Sequence, residues 1–179
     1  MNIGLIGMPG TMKSTVGREL ASMTGMELMD TDEIFEREEG ASISDTFDSK
    51  GEAYFRRREK EIAERVCGGN GRIISFGGGT PVAECNRAVI SRTCFVVRLT
   101  ASPERIAERC SGDGSRPLLA GDVLANVRRL EAEREPYYSA CSDITVDTTD
   151  LSPREAAEII LAEAAKRSGG GYKDINSVK

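Results

Sequence analysis

The sequence predicts an α/β fold, with a five-stranded parallel sheet between two layers of helices. Two observations carry that prediction. Five short apolar runs, Ile3 to Ile6, Glu27 to Met29, Ile73 to Phe76, Cys94 to Leu99 and Ile144 to Val146, alternate with helical patterns. Such alternation marks parallel strands joined by helical crossovers. The best of these runs are apolar at successive rather than alternate positions, which a strand needs when both of its faces are buried. Ligands on such a sheet gather beyond the carboxyl ends of the strands. The residues that follow each strand are therefore where chemistry is expected.

The first strand runs into Gly7-Met8-Pro9-Gly10-Thr11-Met12-Lys13-Ser14-Thr15, and a helix follows from about Lys13 to Met23 with Val16, Leu20 and Met23 on one face. A strand, a glycine turn and a helix start form a phosphate-binding loop. Backbone N–H groups from Gly10, Thr11, Met12, Lys13, Ser14 and Thr15, with the positive end of the helix dipole, would hold the β- and γ-phosphates of a nucleotide. Lys13 supplies a charge to them, and the Ser14 hydroxyl is placed for an accompanying Mg²⁺. The other reading is a plain turn in which Lys13 and Ser14 only begin a helix. Met12 stands where the pattern G-x-x-x-x-G-K-[ST] has glycine. If its φ must be positive, methionine costs about 1–2 kcal/mol there.

The second strand ends at Asp30-Thr31-Asp32. Two carboxylates at a strand end repel unless a cation or a hydrogen-bonding ligand separates them. Asp30 is a candidate for Mg²⁺ through water and Asp32 for a substrate hydroxyl. Alternatively, Thr31 or Asp32 caps a helix beginning at Glu33-Ile34-Phe35. Phe55, Glu59, Ile62, Ala63 and Val66 share one face of a helix over about Glu52 to Cys67. Arg56, Arg57 and Arg58 lie in its first turns. Glu59, three positions on, is close enough to orient Arg56 as a bidentate carboxylate receptor.

The third strand ends at Gly77-Gly78-Gly79, which fits either a flexible turn or a place where another group must come very close. Ser102-Pro103 after the fourth strand is a cap with proline at the first helical position, and that helix ends near Arg109 and Cys110. The polar stretch from Cys110 to Ser115, flanked by Arg109 and Arg116, reads as a mobile lid over about 110–120 or as a surface loop. Val123, Leu124, Val127 and Leu130 face inward on the next helix, which finishes around Arg134-Glu135-Pro136-Tyr137-Tyr138. Ser152-Pro153-Arg154-Glu155 is a capping box for a final amphipathic helix, and residues 168–179 form a flexible tail behind a single domain over 1–167.

Composition narrows the chemistry. With 179 residues the chain can bury one substantial core. Its five cysteines contain no C-x-x-C pair and fit a reducing cytosol better than a disulfide framework. No run is long enough to span a membrane, and no basic region or cleavage site follows Met1, so a soluble cytoplasmic protein is expected. A net charge of −5 argues against nucleic acid as a partner. The absence of histidine excludes imidazole bases, leaving a carboxylate as the candidate base. A monomer is expected, since no long apolar face is left unassigned.

The glycine loop, D-T-D at 30–32, F-R-R at 55–57, G-G-G at 77–79, R-P-L-L at 116–119 and R-E-P-Y-Y at 134–138 together resemble the shikimate kinase family over nearly the whole chain. The resemblance implies a three-layer P-loop kinase fold, nucleoside-monophosphate-kinase-like, with strand order 2-3-1-4-5 and a mobile lid. It also implies ATP-dependent, Mg²⁺-supported phosphorylation of the 3-hydroxyl of shikimate on the route to chorismate and the aromatic amino acids. By resemblance Lys13, Asp32 and Arg116 are catalytic, and Ser14 and Asp30 support Mg²⁺. Arg56, Arg134, Glu59, Gly78, Gly79, Phe47 and Phe55 surround shikimate with Asp32. Arg109 and Pro153 flank adenine. Met12 departs from the family pattern, as does Thr148-Thr149-Asp150-Leu151, which lacks the basic residues often found beside adenine. The rivals are a kinase of gluconate or of a nucleoside monophosphate, and a shikimate-binding regulatory module impaired by Met12.

Overall fold

The five apolar runs become strands β1 (Asn2–Ile6), β2 (Glu27–Asp30), β3 (Arg72–Ser75), β4 (Cys94–Thr100) and β5 (Ile144–Asp147) in a computed structural model that describes residues 1–110 and 122–167. All neighbouring pairs are parallel, and the order is β2-β3-β1-β4-β5, as expected. Beyond Cys110, the lid expected over about 110–120, with Arg116, and the tail expected over 168–179 lie outside the described residues.

Successive side chains leave a strand on opposite faces, so each buried strand feeds two apolar layers. Ile3 and Leu5 of β1, Ile73 of β3 and Phe95, Val97 and Leu99 of β4 pack with α1 (Lys13–Thr24) and α7 (Pro153–Arg167). Ile6, Ile74, Cys94 and Val96 face the other way. There they meet α2 (Thr31–Glu39), α3 (Ile43–Cys67), α4 (Glu84–Thr93), α5 (Pro103–Cys110) and α6 (Val123–Ser139). This is the expected three-layer arrangement.

Local signals set several helix starts. Ser102 Oγ accepts from Arg105 N at 3.2 Å, and Ser152 and Glu155 complete the capping box, with Ser152 N donating to Glu155 Oε2 at 2.8 Å. At α2 the cap is Asp30 rather than Thr31 or Asp32, because its carboxylate accepts from Asp32 N and Glu33 N. α3 begins at Ile43, earlier than expected. Ser42 caps a first segment that ends in a kink at Gly51, where φ is 79° and ψ 168°, before the helix expected from Glu52 resumes. α4 had no sequence expectation: no side chain caps it, and it buries only Asn86 and Ile90.

All five cysteines are free, with Cys85 alone exposed. Among the described residues no helix is long and apolar enough to cross a membrane.

Ile160 of α7 is fully buried in the layer shared with α1. Ile160→Ala is expected to cost about 2–5 kcal/mol, read as a lower urea midpoint at unchanged slope. A loss well under 1 kcal/mol would place α7 outside the cooperative core.

Candidate active site

Parallel pairing of β1 with β3 and β4 fixes where the first strand ends, and the chain then turns through Gly7 (φ 141°) and Gly10 (φ 81°). A Cβ on Gly7 would lie 2.2 Å from the Leu99 carbonyl oxygen, so no larger residue fits. Met12 holds φ 67° and ψ 21°, and is the one non-glycine residue with positive φ among those described. The strain of about 1–2 kcal/mol has an offset: the half-buried Met12 side chain packs against the apolar layer of α1 and α7. No side chain caps α1, which leaves its first amides to a ligand. Lys13 Nζ lies back over the loop, donating to Gly7 O at 3.0 Å and Met8 O at 2.9 Å. Thr11 turns its hydroxyl inward to Met8 O at 2.8 Å, so only its backbone is suited to a ligand.

At the end of β2, Asp30 serves both readings of the D-T-D sequence. One carboxylate oxygen caps α2, and the other accepts from Ser14 Oγ at 2.7 Å. Asp32 lines the cleft and is exposed to it, although many protein atoms surround its carboxylate. Burial, then the charge of Asp30, with smaller contributions from Glu59 and Glu36, push its carboxyl up to about 6 from an ordinary 3.8, with Lys13 opposing. The folded state therefore holds this proton more tightly than the unfolded chain, and the group's contribution to stability falls as pH rises from about 3.8 to about 6.

Arg56 is oriented as expected. Its Nη1 donates to Glu59 Oε2 at 3.0 Å and its Nε to Glu52 Oε1 at 3.3 Å. Glu59 is itself buried and accepts from Thr80 Oγ1 at 2.9 Å. The ring of Phe55 lies under the Arg56 guanidinium, with Phe47 4.5 Å from Phe55 between centroids. The triple glycine resolves in favour of close approach. A Cβ on Gly77 would stand 2.3 Å from Asp32 Oδ1, one on Gly78 3.2 Å from Arg134 Nη1, and one on Gly79 3.0 Å from Arg56 Nη1. Gly77 leaves no room for a side chain beside Asp32, while at Gly78, where a Cβ would also stand 3.1 Å from Pro9 Cδ, and at Gly79 a side chain would crowd the neighbouring guanidinium ends. Tyr138 holds this segment from α6, donating to Gly78 O at 2.7 Å, and burial raises its phenol pKa so that it keeps its proton.

These groups share a cleft of about 780 Å³ that contains Gly10, Met12, Lys13, Ser14, Thr15, Asp30 and Asp32, along with Phe47, Phe55, Arg56, Glu59, Gly78, Gly79, Arg109 and Arg134. Arg109 sits at its edge, bonded to Gly10 O and to Thr148. Pro153 does not line the cleft; it opens α7 nearby in sequence to Thr148. Sequence reasoning passed over Gly77 and Tyr138, although both lie inside motifs it singled out. For a metal, the hard oxygens of Ser14 and Asp30 suit Mg²⁺, which takes one or two protein oxygens and keeps waters and phosphates for the rest. Among the described residues no group of three or more His, Cys, Asp or Glu could hold a metal by itself. Chemically, two guanidinium groups can hold a carboxylate while a hydroxyl on the same ligand meets Asp32, across from a phosphate-binding loop.

The family model for shikimate kinase matches residues 9–165. A shikimate kinase of Symbiobacterium thermophilum is 37% identical over 96% of this chain and 100% of its own length, and one of Coxiella burnetii is 39% identical over 90% and 92%. Among solved structures, a shikimate kinase from Acinetobacter baumannii in complex with shikimate superposes with a TM-score of 0.88 at 32% identity, covering 96% of this chain and 95% of the other.

Carbon-detected NMR titration of Asp32 is expected to give a midpoint near 6, moving down in Asp30→Asn as the neighbouring charge is removed. A midpoint at or below 4 would mean that cleft water solvates the carboxylate fully.

Proposed function

The chain belongs to the shikimate kinase family, and on that premise we propose how its cleft performs the reaction of the family, phosphorylation of shikimate by ATP. The observation that carries the proposal is the glycine run beside which Asp32, Arg134 and Arg56 come together: a Cβ on Gly77 would collide with Asp32, and one on Gly78 or Gly79 would crowd Arg134 or Arg56. Arg56 and Arg134 grip the shikimate carboxylate, each by charge-assisted hydrogen bonds, which accounts for an acidic protein binding an acid. Glu59 keeps Arg56 in place, Phe47 and Phe55 wall the ring, and Gly78 and Gly79 bring backbone beside it.

Asp32 takes the hydroxyls, and the 3-hydroxyl attacks the γ-phosphorus of ATP. The new O–P bond forms as the bond to ADP breaks, and the hydroxyl proton passes to Asp32. At neutral pH a carboxyl titrating near 6 is mostly ionised and able to accept it. Lys13 leaves the carbonyls of Gly7 and Met8 for the β- and γ-phosphates, which the amides of Gly10 to Thr15 also hold. Mg²⁺, held by Ser14 and through water by Asp30, would supply positive charge to those phosphates. A loose transition state asks mainly for such charge and for positioning. Arg116, by the family resemblance, adds charge to the moving phosphoryl group.

Arg109 lies on the adenine side. Its bonds to Thr148 support placing Pro153, a few residues on, at the opposite side of the base. We also place the enzyme in the cytoplasm as a monomer with no nucleic-acid partner. A net charge of −5 speaks against nucleic acid, and the exposure of only Met1 and Ile159 among the large apolar side chains of the described residues supports a monomer.

ADP release from ATP and Mg²⁺ is expected to depend on shikimate, with a 3-phosphate as the product by phosphorus NMR. Met12 departs from glycine yet is packed, so the unmodified protein is expected to turn over within about tenfold of Met12→Gly. Shikimate binding without ADP release would favour the impaired regulatory module. Turnover of gluconate or a nucleoside monophosphate instead would overturn the substrate.

A further inference from the structure

Arg98 is a charge in an apolar place. It stands on β4 in the run from Cys94 to Thr100, on the same strand face as Cys94 and Val96, and is only 9% exposed. Its Nη1 donates to Glu135 Oε1 at 2.8 Å and to Ser139 Oγ at 3.3 Å, and its Nη2 also donates to Glu135. Its Nε, also buried, has no hydrogen-bond partner among the described residues. The Glu135 side chain is 46% exposed, and an ion pair open to solvent on one side contributes little to stability, so stability is a weak reason for this arrangement.

What the pair does is join β4 to one side of α6. Glu135 and Ser139, four positions apart, form one stripe of α6 toward Arg98, and Ser139 Oγ also donates to Glu135 Oε1 at 2.6 Å. Arg134 and Tyr138 form the adjoining stripe, about 100° round the helix. The Arg98 guanidinium lies 5.6 Å from the centre of the Tyr138 ring, and the Tyr138 hydroxyl reaches Gly78 O. α6 is thus gripped through one stripe by the sheet while the next stripe enters the cleft.

We infer that Arg98 is a positioning residue for the substrate carboxylate: by clamping Glu135 it sets the rotation of α6 and hence the reach of Arg134 across Gly78. The inference rests on the proposed role of Arg134. It assigns no contact between Arg98 and shikimate or ATP. Lysine, a point charge without the planar fork, would hold Glu135 less well.

Steady-state kinetics of the full chain test this with Arg98→Met, Arg98→Lys, Arg134→Ala and the double variant Arg98→Met/Arg134→Ala. Arg98→Met is expected to raise the shikimate KM by about fivefold or more, with the ATP KM and kcat changed by less than about twofold. Arg98→Lys is expected to restore part of the affinity. In the Arg134→Ala background, Arg98→Met is expected to add nothing, because Arg98 acts through Arg134. If Arg134→Ala raises the shikimate KM but Arg98→Met does not, the positioning role is overturned while the site stands. Equal rises in both KM values overturn it in favour of a general structural role. No effect of Arg134→Ala removes the carboxylate site itself and the inference with it. If Arg98→Met does not fold, Glu135→Gln carries the same expectations for the two KM values.

Discussion

Three missing side chains organise this cleft. At the end of β3 the chain passes through Gly77, Gly78 and Gly79, and a Cβ at these positions would come within 2.3 Å of Asp32, 3.2 Å of Arg134 and 3.0 Å of Arg56. Each of those side chains is delivered by a different element: Asp32 by α2, Arg56 by α3 and Arg134 by α6. The glycine run is where they meet. Glycine weakens a strand and adds conformational freedom, and at Gly77 above all the space beside Asp32 outweighs the stiffness.

Electrostatics complete the arrangement. Asp30, Asp32, Glu36 and Glu59 crowd one part of the cleft, and burial first, then repulsion from Asp30 against the pull of Lys13, raises the Asp32 carboxyl to about 6. Lys13, Arg56 and Arg134 bring the opposing charge, and each is tied to an oxygen or a close neighbour that sets its direction. An enzyme with a net charge of −5 can therefore receive two anions because charge is concentrated locally rather than spread over the surface.

Much of this was legible in the sequence. Strands buried on both faces declare themselves by successive apolar residues, and the phosphate loop by glycines placed between strand and helix. The D-T-D sequence admitted two readings because Asp30 does both jobs, one with each oxygen. The rest was hidden for physical reasons. α4 carries no side-chain cap and buries only two residues, so it leaves little periodic signal. The first segment of α3 is mostly polar, and the kink at Gly51 separates it from the clear pattern after it. Arg98 passed as one polar letter in an apolar run, because its partner Glu135 is 37 positions away and no local pattern announces such a pair.

The most direct test of the central claim is a crystal structure with shikimate bound. The account predicts the carboxylate between Arg56 and Arg134, the ring beside Gly78 and Gly79, and a hydroxyl within hydrogen-bond reach of Asp32. A carboxylate turned toward Lys13, with both arginines left to solvent, would contradict it.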